Sequence, residues 1–169
     1  MENNLVLQRQ VRLLILFFMF ALTVSGLTAI PLQWELAVLN QWMGLDSFVA
    51  RFWPSLAEWI DRVNTGVQNG YGQYPFLAYG TDWLAFAHIL IAVLFIGPLR
   101  DPVRNLWVIE FGMIACALIV PWTLILGTAR GIPPFWQLID MSFGIFGFIP
   151  LWLVRRDIIK ITTEPGFGA

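Results

Sequence analysis

The chain has 169 residues, 58% of them apolar and 12% charged, with a mean hydropathy of +0.70. Soluble domains carry about a quarter of their residues as charges, so this balance excludes a disordered chain, a linker-rich scaffold and a water-soluble enzyme of ordinary surface. Ten Lys and Arg against eleven Asp and Glu give a formal charge of −1, which leaves no basic footprint for nucleic acid.

Charge-free runs mark the helices, because about 20 apolar residues are needed to cross roughly 30 Å of hydrocarbon. The first run covers residues 13–34, between Arg12 and Glu35. Its Arg9–Arg12 lead, apolar stretch and small residues 25–29 resemble a secretory signal peptide. The run is longer than a usual signal core, so an uncleaved anchor is expected.

An outer segment, residues 35–82, follows. Phe48, Val49, Phe52, Trp53, Leu56, Trp59, Ile60 and Val63 fall at spacings of three and four, as on one stripe of a helix. Such short apolar stretches predict amphipathic helices lying in the interface rather than spanning it. Asp46 is an expected N-cap, and Ser55 with Glu58 reads as a capping box after Pro54. Residues 64–81 hold four glycines and all three tyrosines, Tyr71, Tyr74 and Tyr79, and predict a loop. Thr81 or Asp82 is then the expected cap of the next helix.

Three more spans are expected at residues 83–99, 105–128 and 134–154, interrupted only by His88, Glu110 and Asp140 respectively. No period-two pattern suits a barrel strand, and lipid demands that backbone groups bond within the segment. The expected fold is an all-α integral membrane protein, a four-helix bundle forming one domain over residues 1–169. Arg9, Arg12, Arg100, Arg104, Arg155, Arg156 and Lys160 fall on one side of such a bundle, and only Arg51, Arg62 and Arg130 on the other. The positive-inside rule therefore predicts a cell-membrane protein with both termini cytoplasmic. Trp34, Trp83, Trp122 and Trp136 fit an outer indole belt, Trp107 and Trp152 an inner one.

Ionisable groups inside a bilayer are costly and therefore informative. Counted at 1.5 Å per residue, His88 and Asp140 both lie roughly 9 Å below the outer helix ends. Asp140 shares a helix face with Gly144 and Gly147, and His88 with Ala85 and Ala92. Small residues mark close helix approach in membranes, so the two groups are expected to point inward, towards each other. They form either a proton-handling pair or a structural lock. Glu110 lies nearer the cytoplasmic end, where Arg100, Arg104 and Arg155 suit an ion pair.

The same outer level holds Asp82 and Arg130. Asp82, His88, Arg130 and Asp140, roofed by Tyr71, Tyr74 and Tyr79, are the candidate ligand-binding cluster. His88 and Asp140 are its candidate catalytic pair. One cysteine, Cys116, excludes an intrachain disulfide and a Cys-based zinc site. One histidine with scattered acids lacks the ligand density of a transition-metal site. A haem held by His88 and Met141 is set aside because Met commonly fills core gaps. No cofactor is expected. The expected function is non-catalytic binding of a hydrophobic ligand or membrane protein partner, besides the lipid bilayer, through the outer half. The alternative is an enzyme or proton-coupled carrier that uses His88 and Asp140. The turn at residues 97–104 has the charge to hold a lipid phosphate, although topology alone accounts for it.

Overall fold

A computed structural model describes residues 2–163, all-helical among those residues. Four helical stretches are long and apolar enough to cross a membrane: Leu5–Thr28, Pro75–Arg100, Leu106–Gly127 and Pro134–Thr163. Between 17% and 28% of each one's most apolar window is buried, so most of their apolar surface faces outward. The chain divides into two compact units, Met1–Ala21 with Ile91–Ala169, and Leu22–Leu90.

The first unit contains most of α1 (Glu2–Thr28), α6 (Ile96–Arg100), α7 (Leu106–Trp122) and α8 (Pro134–Thr163). Its core joins Val11 and Ile15 of α1, Phe95 just before α6, Ile109 and Cys116 of α7, and Leu151, Val154 and Ile158 of α8. Glycines let the backbones approach. A Cβ on Gly144 would come 2.6 Å from the Cys116 carbonyl oxygen, and one on Gly147 would come 2.8 Å from the Cys116 sulfur. On α7, Gly112 makes the matching space for Leu151 and Phe95. The small-residue face expected around Asp140 is thus a helix contact, and its partner is α7.

Prolines set the breaks in this unit. Pro98 has no N–H to donate to residue 94, and the chain bends at fully buried Phe95. The Asn105 side chain then donates to the Gly97 and Asp101 carbonyls at 3.2 and 2.8 Å, adding to the backbone N–H bonds those oxygens already accept from Asp101 and Asn105. Pro121 likewise precedes a π-helical turn, Thr123–Gly127. Gly127 makes room there for the buried Gln137, whose amide donates to the Ile132 carbonyl at 2.8 Å. Gly131, with φ +68°, makes the tight turn between them.

The second unit is built around α2 (Leu32–Met43), α3 (Val49–Phe52) and α4 (Pro54–Gln73), with most of α5 (Ala78–Leu94). Asn40 donates to Asp61 at 3.3 Å, and Gln68 donates to the Gln33 carbonyl at 2.7 Å. Late residues of α2 thus meet early residues of α4, so the two helices run antiparallel. Leu36, Leu56, Ala57 and Ile60 are buried in this unit.

Several local expectations change. The first helix stops at Thr28 rather than Trp34, because Pro31 lacks a donor and restricts the residue before it. Trp34 belongs to α2. Residues 64–81 are helical over most of their length, with α4 reaching Gln73 and a 3₁₀ turn at Pro75–Leu77 leading into α5. The α2 contacts hold the glycine-rich stretch helical against its weak intrinsic propensity. Asp46, Ser55 and Thr81 are not N-caps. Helices begin at Val49 without a side-chain cap and at Pro54 with proline in the first turn. Thr81 lies inside α5, bonded to the Ala78 carbonyl. The last helix runs past Val154 to Thr163, and there Asp157 is fully buried.

Two glycine substitutions test this packing with opposite signs. Gly144→Ala is expected to destabilise the protein by about 1–3 kcal/mol, the usual cost of overpacking. Gly66 has nothing within 4 Å of its added Cβ, so Gly66→Ala should stabilise by about 0.4–1 kcal/mol. Reversible unfolding in mild detergent checks both.

Candidate functional site

The residues singled out in the sequence fall in both units. Tyr71, Tyr74, Tyr79, Asp82 and His88 lie in the second, Arg130 and Asp140 in the first.

In the second unit, the Tyr71 hydroxyl lies 3.4 Å from the Thr81 hydroxyl. This ties the end of α4 to the first turns of α5. Tyr74 is exposed and meets Phe76 edge-on, with ring centroids 6.1 Å apart. Tyr79 starts an exposed aromatic ladder along α5, through Trp83 at 5.9 Å to Phe86 at 5.5 Å. Asp82 is exposed within that helix. The tyrosines therefore belong to two helices and the short connection between them rather than to one loop.

His88 is half-buried on α5, and its Nδ1 donates to the Leu84 carbonyl at 2.8 Å. A carbonyl can only accept, so the bond puts the neutral ring's proton on Nδ1 and leaves Nε2 as the acceptor. Ala85 and Ala92 are buried on its face, as their spacing implied. The element packed there within this unit is α1. A Cβ on Gly26 would stand 2.7 Å from the His88 Cβ and 3.0 Å from the Ala85 carbonyl. The sequence reading passed over Gly26; its small size opposite the alanine face was the available signal.

In the first unit, Arg130 is exposed at the end of the helix that follows the π turn. Asp140 is half-buried on α8, and no described residue of its own unit hydrogen-bonds or ion-pairs with it. Glu110 accepts from the Arg155 guanidinium at 2.8 Å, with both side chains partly exposed. The ion pair expected near that end is therefore present. It sits beside a cavity of about 300 Å³ lined by Trp107, Met113, Ile114, Ala117 and Phe148.

Asp157, absent from the sequence-based candidates, is the one fully buried acid among the described residues. Its Oδ1 accepts from neighbouring Arg156 at 2.8–2.9 Å, while its buried Oδ2 has no partner among the described residues. Arg156 in turn lies 5.7 Å from the Trp152 ring centroid, within cation–π range. Asp157 lay just past the expected end of the span, where an acid beside two arginines reads as solvated. Among the described residues, no three of His, Cys, Asp and Glu come together as a metal ligand set.

Comparison of the chain with protein-family models, curated proteins and solved structures gives no match. Function has to be argued from the residues.

The lone histidine makes its tautomer directly readable. ¹⁵N NMR of the neutral ring is expected to find a protonated Nδ1 and a pyridine-type Nε2. The opposite tautomer would remove the Leu84 bond.

Proposed function

We propose that this chain is a non-catalytic, four-span protein of a cell membrane that binds a membrane protein partner through its outer half. The observation that carries the reading is the contrast between two surfaces of the α2–α4 hairpin. On α4, exposed Glu58, Arg62, Thr65 and Asn69 recur at helical spacing as a polar row. On α2, on α3 and just before it, Trp34, Trp42, Phe48 and Phe52 are each at least 67% exposed. Phe48 and Phe52 stack their rings at 4.6 Å. The hairpin's own apolar residues, Leu36, Leu56, Ala57 and Ile60, are buried without these aromatics.

Exposed aromatic area of this kind marks an interaction surface, and tryptophan anchors dominate protein interfaces. An exposed polar row on α4 suits a hairpin lying at the membrane surface, with one side to water. The Lys/Arg asymmetry supports placing this hairpin outside and both termini in the cytoplasm.

Native mass spectrometry of the full chain, extracted in mild detergent from the membrane that expresses it, tests the reading. A second polypeptide at whole-number stoichiometry is expected. Trp42→Ser with Phe52→Ser should weaken its retention by roughly thirtyfold or more, since a single hot-spot truncation costs about 2 kcal/mol. Melting of the chain itself should be unchanged. Retention of lipid alone, or of a small apolar molecule, overturns the partner reading. Orientation is checked in a Cys116→Ser background, where an impermeant thiol reagent applied outside should label Gln68→Cys and spare Lys160→Cys. The reverse pattern overturns it.

A further inference from the structure

We propose a second, separate site: a pocket at the arginine-rich end of the first unit that holds the phosphate of an anionic phospholipid. The cavity, about 170 Å³, lies among α1, α6 and α8 and is lined by Gln8, Arg12, Arg100, Val103, Ile158 and Ile161. Ile158 and Ile161, 1% and 3% exposed, close its floor. Asp101 and Pro102 complete the rim.

The charges around it do not cancel. Asp101 is the one acid on the rim, and it is already engaged. Its Oδ1 accepts the Arg104 backbone N–H at 3.0 Å, and its Oδ2 lies 3.7 Å from the Arg104 guanidinium. Arg155 is held by Glu110 and Arg156 by Asp157. Of the basic residues at this end, Arg9, Arg12, Arg100 and Lys160 have no acid partner among the described residues. Two of these four, Arg12 and Arg100, line the pocket. Two guanidinium groups in one pocket with apolar Ile158 and Ile161 suit a phosphate, which accepts their N–H groups two at a time.

The ligand's second half is legible on α1. Gln8, Arg12, Leu16 and Phe20 repeat at intervals of four and are all exposed, Phe20 by 69%. One row therefore passes from amide and guanidinium to bare apolar side chains. A free phosphate has no use for that lower half; a phospholipid uses both. The site also stands where Pro75–Arg100 ends and Leu106–Gly127 begins, the level at which a span meets headgroups. The proposal rests on the membrane reading above and needs neither the partner nor the outer hairpin.

Native mass spectrometry of the full chain in detergent, titrated with phosphatidylglycerol and phosphatidylcholine, tests it. Phosphatidylglycerol is expected to be preferred. Each basic residue near an anionic surface contributes a factor of about five in affinity, so Arg12→Gln with Arg100→Gln should lower phosphatidylglycerol affinity by about 25-fold. Arg9→Gln with Lys160→Gln removes the same formal charge outside the pocket and should leave the preference in place. An equal loss in both double variants, or no preference in the wild type, overturns the site. Displacement of phosphatidylglycerol by equimolar inorganic phosphate overturns the lipid assignment. Photo-crosslinking of a phosphatidylglycerol analogue to the unmodified chain needs no folded variant. It should label residues 8–20 and 100–103, and labelling elsewhere alone overturns the site. Alkaline carbonate separates the two levels of the argument: extraction of the chain would sink the membrane reading, whereas a chain that stays embedded without lipid preference sinks only the pocket.

Discussion

The close approach of α7 and α8 is the contact on which the first unit depends. In the membrane proposed here, lipid tails are as apolar as leucine, so burying apolar side chains gives little drive for helices to associate. What remains is dense packing, and dense packing needs small residues at the crossing. Gly144 and Gly147 lie directly against Cys116, and Gly112 admits Leu151 and Phe95. Phe95 in turn stacks on Phe18 at 4.7 Å, which ties α1 into the same core. Without those glycines the core residues on the three helices would be held apart.

Charge around that core is only partly paired. Glu110 and Asp157 each take one arginine of the Arg155–Arg156 pair. A half-exposed pair such as Glu110–Arg155 adds little net stability. Its consequence is selective neutralisation: the arginines with acid partners become part of the helix ends, and those without remain available to anions. The proposed lipid pocket is what this partition leaves over. Asp157 is the exception, a buried carboxylate with one oxygen unpartnered among the described residues. Its partner is an immediate chain neighbour, so removing that arginine would strand a charge in the core.

The second unit is held differently. Asn40, Asp61, Gln33 and Gln68 bond across α2 and α4, fixing an antiparallel register that apolar contacts alone specify poorly. Gln68 also lies 3.3 Å from Asn64. The same bonds lie along the stretch where α4 carries its glycines. A segment that reads as a loop in isolation is thereby kept helical, with its polar row on one side and the aromatic residues of α2 and α3 left uncovered. The surface proposed for a partner is a by-product of how the hairpin closes its own core.

The sequence alone determined the number and approximate centres of the four apolar helices, though not their ends, because a charge-free run is a local property. Helix faces were also legible: Gly144 with Gly147, and Ala85 with Ala92, follow from 3.6 residues per turn. The Glu110–Arg155 pair could be anticipated because both lie near one helix end. Spacing could not say which helix each face meets. The His88 face packs on Gly26 of α1, and the Asp140 face packs on Cys116 of α7. The mutual pairing expected for His88 and Asp140 rests on matched depth, small-residue faces and the lack of another partner at that level, and none of these says which helix a face meets. Tertiary structure likewise decided that residues 64–73 are helical, that Asp157 is buried, and that Arg12 and Arg100 share one pocket. Each of these depends on residues far apart in the chain, and no local pattern encodes such contacts.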